Sequence, residues 1–177
     1  MRDLERKAPE KLKEYIMKSF YMSKKRHLLI TGSKGIGKTT LLKEILKDYD
    51  NFGGIRTYIT REDDGLLETV ILEDILDNNV NVIIGKRIDN IMNPVVEGFE
   101  NVGLKILKRY NSSTKDTIII DEIGFLELEA INYQTEILLL FEKKDMIVSL
   151  RKDNNSFINK IIGYKDTFLV DLDRYIL

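Results

Sequence analysis

Eight consecutive residues, Gly32-Ser33-Lys34-Gly35-Ile36-Gly37-Lys38-Thr39, occupy every fixed position of the pattern G-x-x-x-x-G-K-[ST]. The chemistry that uses this pattern is the cradling of a polyphosphate. Glycines let the backbone wrap an anion with its N–H groups facing inward. A helix beginning at the end of the loop adds partial positive charge. In such a loop Lys38 reaches the β- and γ-phosphate oxygens, and the Thr39 hydroxyl is placed to ligate Mg²⁺. With Thr40, the run from Gly32 is the expected nucleotide-binding set. Far downstream, Thr117-Ile118-Ile119-Ile120-Asp121-Glu122-Ile123-Gly124 ends an apolar run in two carboxylates. At the carboxyl end of a parallel strand, Asp121 would hold Mg²⁺ beside Thr39, and Glu122 would orient or deprotonate an attacking water. The blander reading, that the pair merely caps the next helix, loses weight beside a complete phosphate loop. Asp121 to Gly124 also fits D-x-x-G, but no N-K-x-D or T-K-x-D follows to read guanine.

Elements must bring these residues together. His27 to Thr31 is a short apolar strand running straight into the loop, and Leu41, Leu42, Ile45, Leu46 and Tyr49 mark one face of the helix after it. Gly53 to Thr60 reads as a second strand. Thr69 to Leu72 and Val80 to Ile84 read as strands around an Asp/Asn-rich turn. Asn93-Pro94 has the form of a helix start, with Val95, Phe99, Val102, Ile106 and Tyr110 as its apolar face. Thr117 to Ile120 is a buried strand, a helix follows over about 129–143, and Met146 to Leu150, Phe157 to Ile162 and Thr167 to Val170 alternate strand, helix, strand. Such alternation predicts βαβ units, a mainly parallel sheet covered on both faces, and one α/β three-layer domain of the P-loop type. The adjacent Asp-Glu pair points to the P-loop class with a catalytic glutamate. In that class one strand lies between the loop strand and the acidic strand; Met146–Leu150 is the candidate, with Ser149 or Arg151 at its end looking toward the γ-phosphate.

Composition narrows the partners. The chain has 177 residues and is 43% hydrophobic, enough for one domain with a real core. A net charge of −1 argues against bulk binding to nucleic acid or anionic lipid. Lys24-Lys25-Arg26 reads as a solvated turn. There is no cysteine, which removes disulfides and thiolate chemistry and fits a reducing compartment. No apolar run approaches the ~20 residues of a membrane span, so a soluble, cytoplasmic protein is expected. The first 25 residues are a charged N-terminal block with Leu12, Tyr15, Ile16 and Phe20 at helical spacing, and the P-loop domain would occupy 26–177. His27, the single histidine, is expected at the surface or a strand edge.

Beyond these motifs, the order of features from about Leu28 to Arg174 resembles a small family of P-loop nucleoside-triphosphatases that includes thermostable prokaryotic enzymes and a cancer-related human NTPase. Gly32 to Thr40 fits that family's G-x-x-G-x-G-K-T-T loop. Gly54, Thr57 and Arg61 match its G-F-Y-T-E-E-V-R segment, without the glutamates. Ile84-Gly85-Lys86-Arg87 stands for V-G-K-Y, and Ile120 to Leu128 for I-D-E-I-G-x-M-E-L. Asp173-Arg174 stands where the family shows N-R. The resemblance implies ATPase and GTPase activity without firm base preference. With the two motifs, the expectation is Mg²⁺-dependent hydrolysis with Lys38, Glu122 and Arg61 as catalytic groups and Thr39 and Asp121 as metal ligands. Arg61 would bring positive charge to the γ-phosphate. Two rivals stay open. One is a nucleotide or small-molecule kinase, although no Arg-rich lid is evident. The other is a switch or partner-stimulated module, which the N-terminal block would serve. Base preference and oligomeric state are not readable.

Overall fold

The computed structural model describes residues 9–61 and 68–175. Its centre is built from the apolar, β-branched runs. Successive side chains of a strand face opposite sides, and here they divide cleanly between two cores. Strand β1 (His27–Thr31) sends Leu29 to one face and Leu28 and Ile30 to the other; β6 (Thr117–Ile123) sends Ile118 and Ile120 one way and Ile119 the other; β7 (Asp145–Leu150) does the same with Met146 and Val148 against Ile147. Helices α4 (Leu104–Asn111), α5 (Ile131–Lys143) and α6 (Ser156–Ile162) cover the first face through Leu107, Ile137 and Ile161. Helices α1 (Pro9–Ser23) and α2 (Lys38–Leu46) cover the second through Phe20 and Ile45. The expected three layers result.

Among the described residues, eight strands form one sheet, in the order β5 (Ile91–Pro94), β4 (Asn81–Ile88), β3 (Glu68–Asp74), β2 (Phe52–Arg61), β6, β7, β1, β8 (Thr167–Asp171). From β2 through β6, β7 and β1 to β8, every neighbouring pair is parallel. On the other side of β2, strands β3, β4 and β5 add an antiparallel wing. One strand, β7, separates the loop strand β1 from the acidic strand β6, as the Asp-Glu pair led us to expect.

Three expectations are corrected. Asn93-Pro94 does not start a helix. It ends strand β5, and helical structure begins at Val96 with the short α3 (Val96–Gly98), a π turn (Phe99–Gly103) and then α4. Asp89 and Asn90 both have positive φ, 49° and 63°, the signature of a two-residue hairpin joining β4 to β5. Pro94 fits there because β5 is the sheet's edge, where a missing N–H costs no ladder bond. His27 is not at the surface. It lies between β7 and β8, 1% exposed, with its ring 4.9 Å from Phe141 and 6.0 Å from Tyr164 between centroids, and its Nδ1 accepts the Met146 N–H at 3.3 Å. Burial, helped by Arg26, lowers its pKa to about 4. In α1 the buried face is Ile16, Met17 and Phe20, while Tyr15 stays exposed.

Candidate active site

The strand register sets the stage. Arg56 of β2 is level with Asp121, Asp121 with Ser149, Ser149 with Ile30, and Ile30 with Val170. The phosphate loop, Glu122 and Arg151 therefore all lie just past one row, at the carboxyl ends of the parallel strands, where open α/β sheets place ligands.

The loop needs its glycines. Gly35 and Gly37 have φ of 77° and 110°, backbone that L side chains rarely adopt. Gly37 in this left-handed state turns the chain into α2, and no side chain caps that helix start among the described residues. Its first N–H groups thus remain for an anion. Lys38 is 8% exposed. Its Nζ donates to the Gly32 carbonyl at 3.0 Å and lies 3.1 Å from Glu122 Oε2. Thr39 Oγ1 donates to Asp121 Oδ1 at 3.3 Å, and Ser149 Oγ donates to the same oxygen at 2.5 Å. The Glu122 N–H donates to Thr57 Oγ1 at 3.2 Å. The structure thus brings Lys38, Thr39, Asp121 and Glu122 to one place. The Thr39 hydroxyl and the Asp121 carboxylate are hard oxygen donors, a set suited to Mg²⁺, which usually takes one or two carboxylates with waters and substrate phosphates.

These residues line a cavity of about 950 Å³. Ser33, Lys34, Gly35, Gly37, Lys38, Thr39 and Thr40 form one wall; Gly32 and Ile36 are not among the lining residues, and Ile36 packs against the second core. Arg61 is not brought there. It pairs across the β2–β3 ladder with Glu68, Nε to Oε2 3.0 Å, its side chain is 72% exposed, and it is not among the cavity's lining residues. Arg151 and Arg87 do line the cavity. Arg87 is engaged by Glu68 and the Asn90 carbonyl. The Arg151 guanidinium stacks 5.1 Å over the Phe125 ring and has no carboxylate partner among the described residues.

Two groups were not given a role from sequence. Glu127 is buried in the cavity wall, and its Oε2 accepts the Gly124 N–H at 3.0 Å; burial first, with the nearby Glu122 charge adding, raises its pKa to about 7. Its place in the D-E-I-G-x-x-E-L segment was the available signal. Asp173, in the 3-10 turn Leu172–Arg174, grips the start of the loop: its carboxylate accepts the Ser33 N–H at 3.1 Å and the Ser33 hydroxyl at 3.0 Å. Lys152 binds Asp173 at 2.6 Å and Asp171 at 3.1 Å, and this cation with the Ser33 N–H holds the Asp173 pKa below the usual carboxylate value. Arg174 is 3.9 Å from Asp171 with its side chain 83% exposed.

A family model described as NTPase matches residues 27–175. The nucleoside-triphosphatase THEP1 of Thermotoga sp. (strain RQ2) is 31% identical over 158 residues, covering 83% of this chain and 86% of the relative. The protein of the same name from Methanocaldococcus jannaschii is 33% identical over 110 residues, 58% of this chain and 64% of the relative. The crystal structure of THEP1 from Aquifex aeolicus superposes with a TM-score of 0.67 at 22% identity, covering 82% of this chain and 89% of that one, and so shares the fold.

Proposed function

As the chain belongs to the nucleoside-triphosphatase family that its residues 27–175 match, it is an NTP-hydrolysing enzyme, and we propose that it works with Mg²⁺, on ATP and GTP alike, through Glu122 as the base. The observation that carries this reading is the convergence of Lys38 Nζ and Glu122 Oε2 at 3.1 Å, beside a Thr39–Asp121 pair, at the start of α2, which no side chain caps among the described residues.

The steps follow from these contacts. The loop N–H groups and Lys38 take the β- and γ-phosphates. An incoming phosphate competes with Glu122 for the Lys38 ammonium, and the released carboxylate then faces the terminal phosphorus. Thr39 and Asp121 would hold Mg²⁺, which would supply charge neutralisation for the phosphates. Ser149 keeps the Asp121 carboxylate aimed by its hydrogen bond. Glu122 accepts a proton from water as that water adds, and the β-phosphate leaves with the bridging oxygen. Arg151, unpaired by any described carboxylate, supplies positive charge to the γ-phosphoryl group.

The test is phosphate release from ATP, GTP, CTP and UTP, by the parent and by Lys38→Ala, with Mg²⁺ or excess EDTA. The parent should release phosphate from several NTPs only with the divalent cation. Lys38→Ala should lose NTP affinity, since a charge-assisted contact is worth about 1.5–3 kcal/mol. Release that survives EDTA, or that is unchanged in a folded Lys38→Ala, overturns the reading.

A further inference from the structure

The cavity does not end at the catalytic carboxylate. Past Glu122 its wall turns largely apolar, with Ile59, Val70, Ile84, Met92, Phe125 and Leu126 beside the buried Glu127. The first four come one each from β2, β3, β4 and β5, so the antiparallel wing builds this part; the last two follow directly from β6. Val70, Ile84 and Leu126 belong to the buried core, while Ile59 is half-exposed. The floor is closed around Gly85, where an added Cβ would come within 3.2 Å of Leu126, Met92 and Val70 at once. Arg87 and the Phe125-stacked Arg151 are the cations of this end.

Its position relative to the phosphates is given by strand order. The wing joins β6 through β2, whereas β8 and the Asp173 turn flank the loop strand on the opposite side. The apolar chamber therefore adjoins Glu122, where the terminal phosphate meets its nucleophile. A water molecule occupies about 30 Å³. The whole cavity, about 950 Å³, is at the upper end of pockets that hold small organic ligands. Hydrolysis alone requires no apolar wall on the nucleophile's side.

We propose that the chamber binds a small, largely apolar molecule bearing a hydroxyl, and that this hydroxyl competes with water for the γ-phosphoryl group. The inference rests on the hydrolytic reading above, because it uses the same phosphate cradle and the same base. The acceptor oxygen forms a bond to the γ-phosphorus while the bond from that phosphorus to the β–γ bridging oxygen breaks. The bonding pair leaves with the NDP, and the hydroxyl proton passes to the Glu122 carboxylate and on to solvent. The products are a phosphate monoester, NDP and a proton.

The experiment follows Mg²⁺–ATP turnover by phosphorus NMR with methanol, n-butanol, cyclohexylmethanol or benzyl alcohol at one fixed concentration. It reads the ratio of alkyl phosphate to inorganic phosphate. That ratio should rise at least about tenfold from methanol to benzyl alcohol, because each buried carbon favours the chamber. Ile59→Asp, at a half-exposed position that tolerates a charge, and Met92→Asp should each pull the benzyl ratio back toward the methanol value. Inorganic phosphate with no alkyl phosphate from any alcohol, or a ratio independent of the alcohol's apolar size, overturns the acceptor chamber and leaves the hydrolase. Neither product under any condition overturns both.

Discussion

Burial acts with opposite sign on two titratable side chains. His27 has its pKa lowered from 6.5 to about 4, so the unfolded chain binds the extra proton and stability falls as pH drops from about 6.5 toward 4. Glu127 has its pKa raised from 4.5 to about 7, so the fold favours the protonated acid, and that stabilisation is lost as pH rises from about 4.5 through 7. Each shift corresponds to at most about 3 kcal/mol. The two nearly offset, and the melting temperature of the parent should change little between pH 4.5 and 6.5 on their account. His27→Asn keeps an acceptor for the Met146 N–H and should melt progressively lower as pH rises across that range. Glu127→Gln keeps an acceptor for the Gly124 N–H and should show the reverse slope. Parallel pH profiles for all three proteins would contradict both environments. The arginines are separated by kinetics. Arg61→Ala should leave turnover at saturating NTP close to the parent's and cost under about 1 kcal/mol of stability, as exposed ion pairs do. Arg151→Ala should cut turnover about tenfold or more while changing NTP affinity less, since its charge matters most as the phosphoryl group transfers. The opposite ranking would restore Arg61 to the γ-phosphate.

At the scale of elements, α1 lies outside the matched family segment yet inserts Ile16, Met17 and Phe20 into the core beneath β1 and α2. Phe20→Ala should cost about 3–5 kcal/mol by denaturant unfolding, the range for truncating a buried phenylalanine; a loss under about 1 kcal/mol would make the helix an appendage. The Asp173 turn is tied to the loop differently, through Ser33. Asp173→Ala should raise KM for NTP more than it lowers kcat, because it frees the loop's first turn without touching Lys38 or Glu122. Equal KM values would reduce that contact to surface decoration. The strands from His27, Thr117 and Asp145 were legible because they carry short, nearly continuous apolar runs buried on both faces, and the loop and the Asp121-Glu122 pair because their chemistry is local in sequence. Strand β5 was not legible. Four residues ending in Asn93-Pro94 carry the signals of a helix start, and only the edge of a sheet makes Pro94 a strand residue. The placement of Arg61 was not legible, because a motif match cannot report Glu68, which faces it across a pair formed only on folding. His27 misled because Phe141 of α5 and Tyr164, which cover its ring, are brought to it only on folding.

The molecule as a whole joins two kinds of sheet at β2. The parallel side supplies the phosphate cradle and the acidic pair; the antiparallel wing supplies the apolar end of the same cavity. A nucleotide in the proposed site would bind the folded chain alone, so a non-hydrolysable ATP analogue with Mg²⁺ at about 100 times its Kd should stabilise the protein by about 2.7 kcal/mol. A thermal shift absent with Mg²⁺ and analogue together would argue against the cradle. Whether Glu122 serves as base within that cradle is decided by single-turnover hydrolysis of Mg²⁺–ATP, measured beside ATP affinity, for the parent and Glu122→Gln. The amide keeps the size and loses the proton acceptor, so affinity should stay within a few-fold while hydrolysis falls by about 10²–10⁴. Equal hydrolysis rates in parent and Glu122→Gln would contradict the account.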